Sequence, residues 1–553
     1  MEQDWFNKYA VYQIYPMSFC DSNGDGKGDI PGIISKLDYL QSIGIHTIWL
    51  SPIYASPMVD MGYDISDYYK INPIFGTMDD FDNLIQEARK REIRIIMDLV
   101  VNHTSDQCAW FQEALKNPKS KYRDYYIFKK GKGHRHRTVP NNWKSSFLGS
   151  AWEELKNEKG TFYLHLFSKE QPDLNWRNPE VLKEVEKIMN FWMDKGVYGF
   201  RCDVISCIYK DSFRDGKKQK LTSGMPVGME RYVATDGCHK ILKKLREDVI
   251  IPHHGVLIGE TFGVTLKTGP KFLDGELDTF FSFAHTAINA GKWSKEYIDP
   301  IVFKKTLMEW QKDIKWNGVY LENHDQHRAI NKYVKKGYEE IGAKMLLTLV
   351  YTLRGTPFIY QGQEIGMRDY PSLKIDQCND LVTHFIFDLA HKHYHLPKWI
   401  AMKKAKHNGR DDARAPMAFS DKDGFGFTDP GVQPWQIFSP FSTTINVKTE
   451  EEDENSVLNY FKKITALREK SSALSIGAIH YMKDTPENVL AFIRESPEEK
   501  LLVVLNLNNR VERIDKLISH FEIEKNLLCN NNNPSNYRAM LPYESDVFKI
   551  KEK

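Results

Sequence analysis

The chain has 553 residues, with 76 Lys plus Arg against 74 Asp plus Glu and a formal net charge of +2. So even a balance gives no basic face for a polyanion, which sets nucleic acid aside as a partner. No window approaches the ~18 consecutive apolar residues of a membrane span, and the start MEQDWFNKYA lacks the basic and apolar regions of an export signal, so no membrane association is expected.

The seven cysteines (20, 108, 202, 207, 238, 378 and 529) are odd in number, scattered and free of CxxC spacing. They indicate neither a disulfide framework nor a zinc site, and a monomer in the reducing cytoplasm is the expected setting. From the N-terminus, eight apolar runs read as strands: 11–15, 46–50, 93–101, 196–204, 256–260, 277–283, 318–322 and 356–361. Stretches with helical periodicity separate several of them, among them 79–91, 178–195 and 337–354. Eight strands with helical crossovers predict an α/β fold, a (β/α)8 TIM barrel, rather than an open sheet.

Two irregularities in the spacing predict attachments. A polar, aromatic-rich stretch after the third strand is too long for a βα loop and predicts a lid subdomain over 104–175. A second insertion after the eighth strand, about 366–455, ends in the acidic run KTEEEDEN (448–455), read as a solvated loop. The barrel is then 1–103 and 176–473, and the alternating pattern from 474 to 553 predicts a C-terminal antiparallel β domain.

GFRCDV (199–204), IGETF (258–262) and ENHDQ (322–326) each place a carboxylate just past a strand-like run. A parallel barrel gathers the C-terminal ends of its strands around one mouth, so Asp203, Glu260 and Asp325 are candidates for one site. Paired carboxyls facing one bond are the minimal apparatus for glycoside hydrolysis. Arg201 stands two residues before Asp203, where a fixed cation is expected to lower the Asp203 pKa and hold the group ionised. A separate motif, D-x-N-x-D-G-x-G-D at 21–29, offers oxygen ligands from Asp21, Asn23, Asp25 and Asp29 and the carbonyl of Lys27, a set that suits a hard cation such as calcium. It lacks the closing bidentate Glu of an EF-hand, since position 32 is Gly32.

DLVVNHTS (98–105), QPDLNW (171–176), GFRCDVI (199–205), GET (259–261), ENHDQ (322–326), GTPFIYQGQEIGM (355–367) and DDARAPM (411–417) occur in an order and spacing that resemble the α-amylase family, glycoside hydrolase family thirteen. Within it the resemblance is to the oligo-1,6-glucosidase, dextran glucosidase and isomaltase branch. It implies a barrel with a lid after the third strand and a C-terminal β-sandwich, and an exo-acting, retaining α-glucosidase that hydrolyses α-1,6 bonds of isomalto-oligosaccharides. Asp203 matches the nucleophile, Glu260 the general acid/base and Asp325 the third carboxylate, which grips sugar hydroxyls.

His103 and His324 match two histidines that bond the terminal glucose, Asp60 and Arg414 resemble a pair closing the pocket behind it, and Tyr63 resembles the stacking platform. Phe167 and Gln171 resemble further pocket contacts. Asp98 matches a motif residue whose role is structural, supporting Arg201. Related glucosidases also bind calcium in the loop after the first strand, which implies a structural Ca2+ and no catalytic cofactor. Val204, directly after the nucleophile, accompanies α-1,6 preference in this branch, where Ala or Thr accompanies α-1,4.

The resemblance leaves open an α-1,4-glucosidase, a trehalose-6-phosphate hydrolase and a sucrose isomerase or transglucosylase. A non-catalytic carbohydrate-binding or transporter-associated relative is disfavoured by the full carboxylate set. The chain departs from the pattern at Cys202, at His327, where Pro is frequent, and at Phe419, where Trp is typical.

Overall fold

The computed structural model describes residues 4–147, 149–217, 226–288, 297–531 and 537–552. The chain forms two compact units, one of Met1–Ile48, Glu87–Ile93 and Ala284–Lys553, the other of Trp49–Gln86 and Arg94–Phe283. All eight predicted runs are strands, and they make one sheet in the order 6-5-4-3-2-1-8-7, that of a (β/α)8 barrel. Among the described residues no helix is long and apolar enough to cross a membrane.

In the second unit, strand three (Arg94–Leu99) pairs in parallel with strand four (Gly199–Cys202), four with five (Val256–Glu260) and five with six (Thr279–Phe281). Strands four to six are buried along their whole length, which is why they read as continuous apolar runs instead of alternating ones. A Cβ at Gly199 would lie 2.2 Å from the Val256 carbonyl oxygen, so only glycine lets these two strands close. The register sets Asp98 level with Arg201, and the Asp203 N–H donates to the Leu99 carbonyl (3.0 Å). Helix Pro179–Asp194 is capped by the Asn178 side chain, with Pro179 at its first turn. Within the predicted lid segment lies a three-stranded antiparallel sheet (Phe128–Lys130, Thr161–Leu164 and Trp152–Glu154), packed on Trp143, Leu166 and Tyr232.

In the first unit, strand one (Val11–Ile14) pairs in parallel with strand eight (Gly355–Tyr360), and eight with seven (Asn317–Val319). Helix Glu339–Thr352 is buried from Gly342 onward, and helix Val457–Lys470 starts where the Ser456 side chain accepts the Asn459 N–H. Beyond it a five-stranded antiparallel sheet includes Val489–Glu495, Lys500–Asn506 and Ser545–Glu552.

The acidic run is exposed as expected except at Glu450, but it is a loop only at 453–455. Asn446 caps a short helix, Val447–Glu452, and Glu450 is drawn in to accept the Leu458 N–H, so that burial lifts its carboxyl to about 7. Charge predicts solvation, but the cap and this tertiary acceptor role decide the conformation.

Arg468 is fully buried without a carboxylate contact among those described. Its guanidinium donates to the carbonyls of Lys8, Tyr351, Leu474, Asn7 and Gly355 at 2.7–3.2 Å, and burial lowers its pKa to about 9. One side chain therefore satisfies five acceptors from four segments. Arg468→Met, which keeps the stem and orphans those carbonyls, is expected to lower the unfolding free energy by about 3 kcal/mol or more in urea titration. A loss within ~0.5 kcal/mol would mean that water replaces the guanidinium.

Candidate active site

Arg201 organises the second unit's part of the site. Its Nη1 donates to Asp98 Oδ1 (2.7 Å) and Asp203 Oδ1 (2.8 Å), while Nη2 meets Glu260 Oε2 at 2.8 Å. All four side chains are nearly inaccessible, with Asp203 and Glu260 keeping 10% and 8% exposure. The guanidinium is itself packed over the Trp49 and Tyr63 rings. Asp98 is locked on its far oxygen by Trp49 Nε1 (3.0 Å) and the Tyr63 hydroxyl (3.1 Å). It orients Arg201, and Arg201 in turn orients the two outer carboxylates.

The expected electrostatics need correction. The guanidinium does pull the Asp203 pKa down, but burial outweighs it and leaves the carboxyl well above its ordinary range. The same cause lifts Asp98 to about 6. For both groups burial outweighs the pull of the one cation they share.

Strand four ends at Cys202, and Val204 lies in the left-handed region (φ 37°, ψ 36°). That region is unfavourable for a β-branched residue. The twist aims the Val204 N–H at Glu260 Oε2 (3.0 Å) and leaves the side chain nearly buried beside Asp203.

The predicted pocket residues of this unit form one chain of contacts. Gln171 Nε2 donates to Asp60 Oδ2 (3.1 Å) and to the Tyr63 carbonyl (3.2 Å), and the Ser168 N–H fixes its Oε1. His103 Nε2 lies 3.1 Å from the same Tyr63 carbonyl, an acceptor only, so Nε2 carries the proton. Asn102 Nδ2 faces His103 Nδ1, and burial lowers the His103 pKa, keeping the ring neutral. Phe167 packs on the His103 ring at 5.4 Å.

The first unit carries Asp325, His324 and Arg414. Arg414 Nη2 donates to Asp325 Oδ1 (3.1 Å), its Nε to the His324 carbonyl (3.2 Å), and its guanidinium sits over Tyr15. Gln13 Nε2 contacts His324 Nδ1 (2.7 Å), which places the ring proton on Nε2, 3.3 Å from Asp325 Oδ2. Arg410, just before the DDARAPM motif, reaches Asp325 Oδ1 (3.3 Å) while its Nε and Nη2 hold the buried Asp380. Trp49, Gln13, Arg410 and Asp380 were not among the sequence candidates. Gln13 and Trp49 lie inside apolar strand runs, where their polar ends carry no sequence signal.

In loop 21–29, Asp21 accepts from the N–H groups of Asn23, Gly24 and Gly26 and from the Thr428 hydroxyl. Asp29 accepts from Ser22 and caps helix Ile30–Ser35 through the Gly32 N–H. Asn23 Oδ1 and Asp25 Oδ1 each accept one amide, at 2.9 Å. The donors are all oxygens, the type a hard ion takes, but the carboxylates of Asp21, Asp25 and Asp29 do not converge on one point and are already held by amides, so an ion would have to draw them together. Gly32 has its own reason: a Cβ there would lie 2.0 Å from the Cys20 carbonyl oxygen.

Residues 13–477 match the family described as the alpha amylase catalytic domain. The chain is 41% identical over 571 residues to the oligo-1,6-glucosidase of Parageobacillus thermoglucosidasius, covering 100% of each. It is 40% identical to the glucan 1,6-alpha-glucosidase of Streptococcus pneumoniae, covering 92% of each. Among solved structures, the trehalulose synthase of Pseudomonas mesoacidophila aligns with a TM-score of 0.92 at 33% identity over 99% of both chains. The trehalose-6-phosphate hydrolase of Bacillus licheniformis aligns at 0.91 and 36%, over 99% of this chain and 100% of that one. With carboxylates at its strand ends and a match that spans most of its length, the chain belongs to the alpha-amylase family and is a glycoside hydrolase.

Proposed function

We propose that the protein is a retaining, exo-acting α-glucosidase that hydrolyses α-1,6 bonds at the non-reducing ends of isomalto-oligosaccharides. The observation that carries this reading is the attachment of Asp203 and Glu260 to the two terminal nitrogens of one guanidinium. Two carboxylates tied this closely suit direct attack on the anomeric carbon, with no water interposed. In this reading Asp203 attacks that carbon while Glu260 protonates the leaving oxygen. Glu260 then takes a proton from the water that releases the glucosyl-enzyme.

Positive charge developing on the sugar favours a bare Asp203 beside it. Asp325 enters through its motif as the carboxylate that grips ring hydroxyls. Asp60, Tyr63, His103, Phe167, Gln171, His324 and Arg414 are assigned to the terminal glucose. The choice of α-1,6 linkage draws support from the names of the relatives and from Val204. A nearly buried β-branched wall beside Asp203 crowds an α-1,4-linked leaving ring, whereas the extra rotatable carbon of an α-1,6 bond lets it swing clear. The seven thiols, six of them buried, suit a cytoplasmic setting, and we assign a monomer. We also assign a structural divalent ion, calcium by donor type, to Asp21, Asn23, Asp25, Asp29 and the Lys27 carbonyl.

Asp203→Asn and Glu260→Gln are each expected to lower kcat by 10³-fold or more while leaving the fold intact, and glucose followed by NMR is expected to appear first as the α-anomer, because two inversions restore configuration. First-formed β-glucose would refute retention. Isomaltose is expected to show a higher kcat/KM than maltose, with Val204→Ala narrowing the gap by raising maltose activity, since one or two methyl groups of pocket shape are worth about 1–3 kcal/mol. A native preference for maltose, sucrose or trehalose 6-phosphate would overturn the linkage assignment. Elemental analysis of protein prepared with calcium is expected to find about one ion per chain, and chelation to lower Tm without abolishing activity at low temperature. Absence of stoichiometric metal would remove the ion.

A further inference from the structure

The turn that carries Asp325 ends in His327, and its imidazole is held on both nitrogens. Nε2 lies 3.1 Å from the His407 carbonyl oxygen, which only accepts, so Nε2 bears a proton. Nδ1 lies 3.1 Å from Asp369 Oδ2 and 3.1 Å from Asp412 Oδ2. Both aspartates are almost wholly buried, and each has its other oxygen fixed by a backbone N–H: Arg328 on Asp369 (2.8 Å) and Tyr370 on Asp412 (3.0 Å). The two remaining oxygens are thereby aimed at a single nitrogen. A neutral ring would turn its lone pair on two carboxylates, whereas an imidazolium meets them with positive charge.

The surrounding charges agree with the charged form. Lys406 approaches Asp412 on its other oxygen (3.6 Å), which compensates one of the two carboxylates. Arg328 is engaged with Glu322 at 2.9 Å, and Arg410 and Arg414 face Asp325 and Asp380. An imidazolium places a further positive charge beside Asp369 and Asp412.

We propose that His327, as an imidazolium, is a positioning residue that sets Asp325 against Arg414. Asp412 and Arg414 belong to one short 3-10 turn, Asp411–Arg414, and Asp325 and His327 to the segment between strand seven and helix Ala329–Tyr333. The two segments are riveted twice with crossed spacing, Asp325 to Arg414 at 3.1 Å and His327 to Asp412 at 3.1 Å. Arg414, Arg410 and His324 hold the Asp325 carboxylate itself, whose side chain is 31% exposed, and the His327–Asp412 contact fixes the backbone two residues further on. This inference rests on the reading that Asp325 works in turnover.

The test compares the native chain with His327→Gln and His327→Lys from about pH 5.5 to about pH 8.5, on either side of the imidazole range. It measures kcat/KM on an aryl α-glucoside together with Tm. The native chain is expected to exceed His327→Gln by roughly five- to tenfold at the acid end, with the ratio falling toward one as the native imidazolium loses its proton. His327→Lys is expected to hold its advantage over His327→Gln at the alkaline end, and the Tm gap between native and His327→Gln is expected to close with rising pH. A ratio and Tm gap that do not change with pH would overturn the proposal. So would a stoichiometric metal in the native protein whose chelation reproduces the loss, since the Nδ1 lone pair would then be a ligand. If the native chain turned over no glucoside, the function reading would fall, and the pH dependence of the Tm gap would still decide whether the clamp exists.

Discussion

One guanidinium bears the electrostatic load of the catalytic half-site. Arg201 is almost wholly buried, so its contacts with Asp98, Asp203 and Glu260 replace solvent as partners of its charge, and those carboxylates depend on it in return. The strand register that sets Asp98 beside Arg201, the Trp49 and Tyr63 donors that lock Asp98, and the aromatic faces that cover the cation all fix one group of atoms. Lysine could not replace it, because three acceptors at fixed angles require a planar fork.

The same scarcity of cations recurs elsewhere with different solutions. Among the described residues Arg468 meets no carboxylate and is solvated by five carbonyls, whereas Asp369 and Asp412 face a histidine. Interior charge in this chain is placed where several chain segments must meet in one arrangement. Its cost in desolvation is recovered as positional definition, the use best suited to a barrel whose functional groups come from distant parts of the sequence.

Much of this was legible in the sequence. The eight strands stood out because double-sided burial forces continuous apolar runs, and Asp203 and Glu260 stood out because each ends such a run. The helical stretch 178–195 stood out as well, and Asn178 caps it. Several features were not legible. The acidic stretch before Ser456 folded because Asn446 capped it and the Leu458 amide needed an acceptor, a tertiary fact with no local signature. Arg201 was expected to settle the ionisation of Asp203, but spacing could not reveal that Asp98 and Glu260 draw on the same cation. Gln13 and Trp49 act through polar tips on residues whose neighbours advertise packing, whereas Arg410 stands in a polar run where nothing local marks it out from its neighbours.

Val204 pays in backbone conformation for the direction of its N–H. A left-handed valine carries strain of order 1–3 kcal/mol, which glycine or asparagine at the same position would release. The residue that shapes the wall beside the nucleophile is therefore also one whose replacement can make the protein more robust to heat. A directed-evolution campaign that screens only for thermal tolerance would be drawn to position 204 and would erode bond selectivity unnoticed, whereas one that screens for selectivity would be held near a strained side chain. Compensating substitutions far from the mouth would then be the first mutations to accumulate.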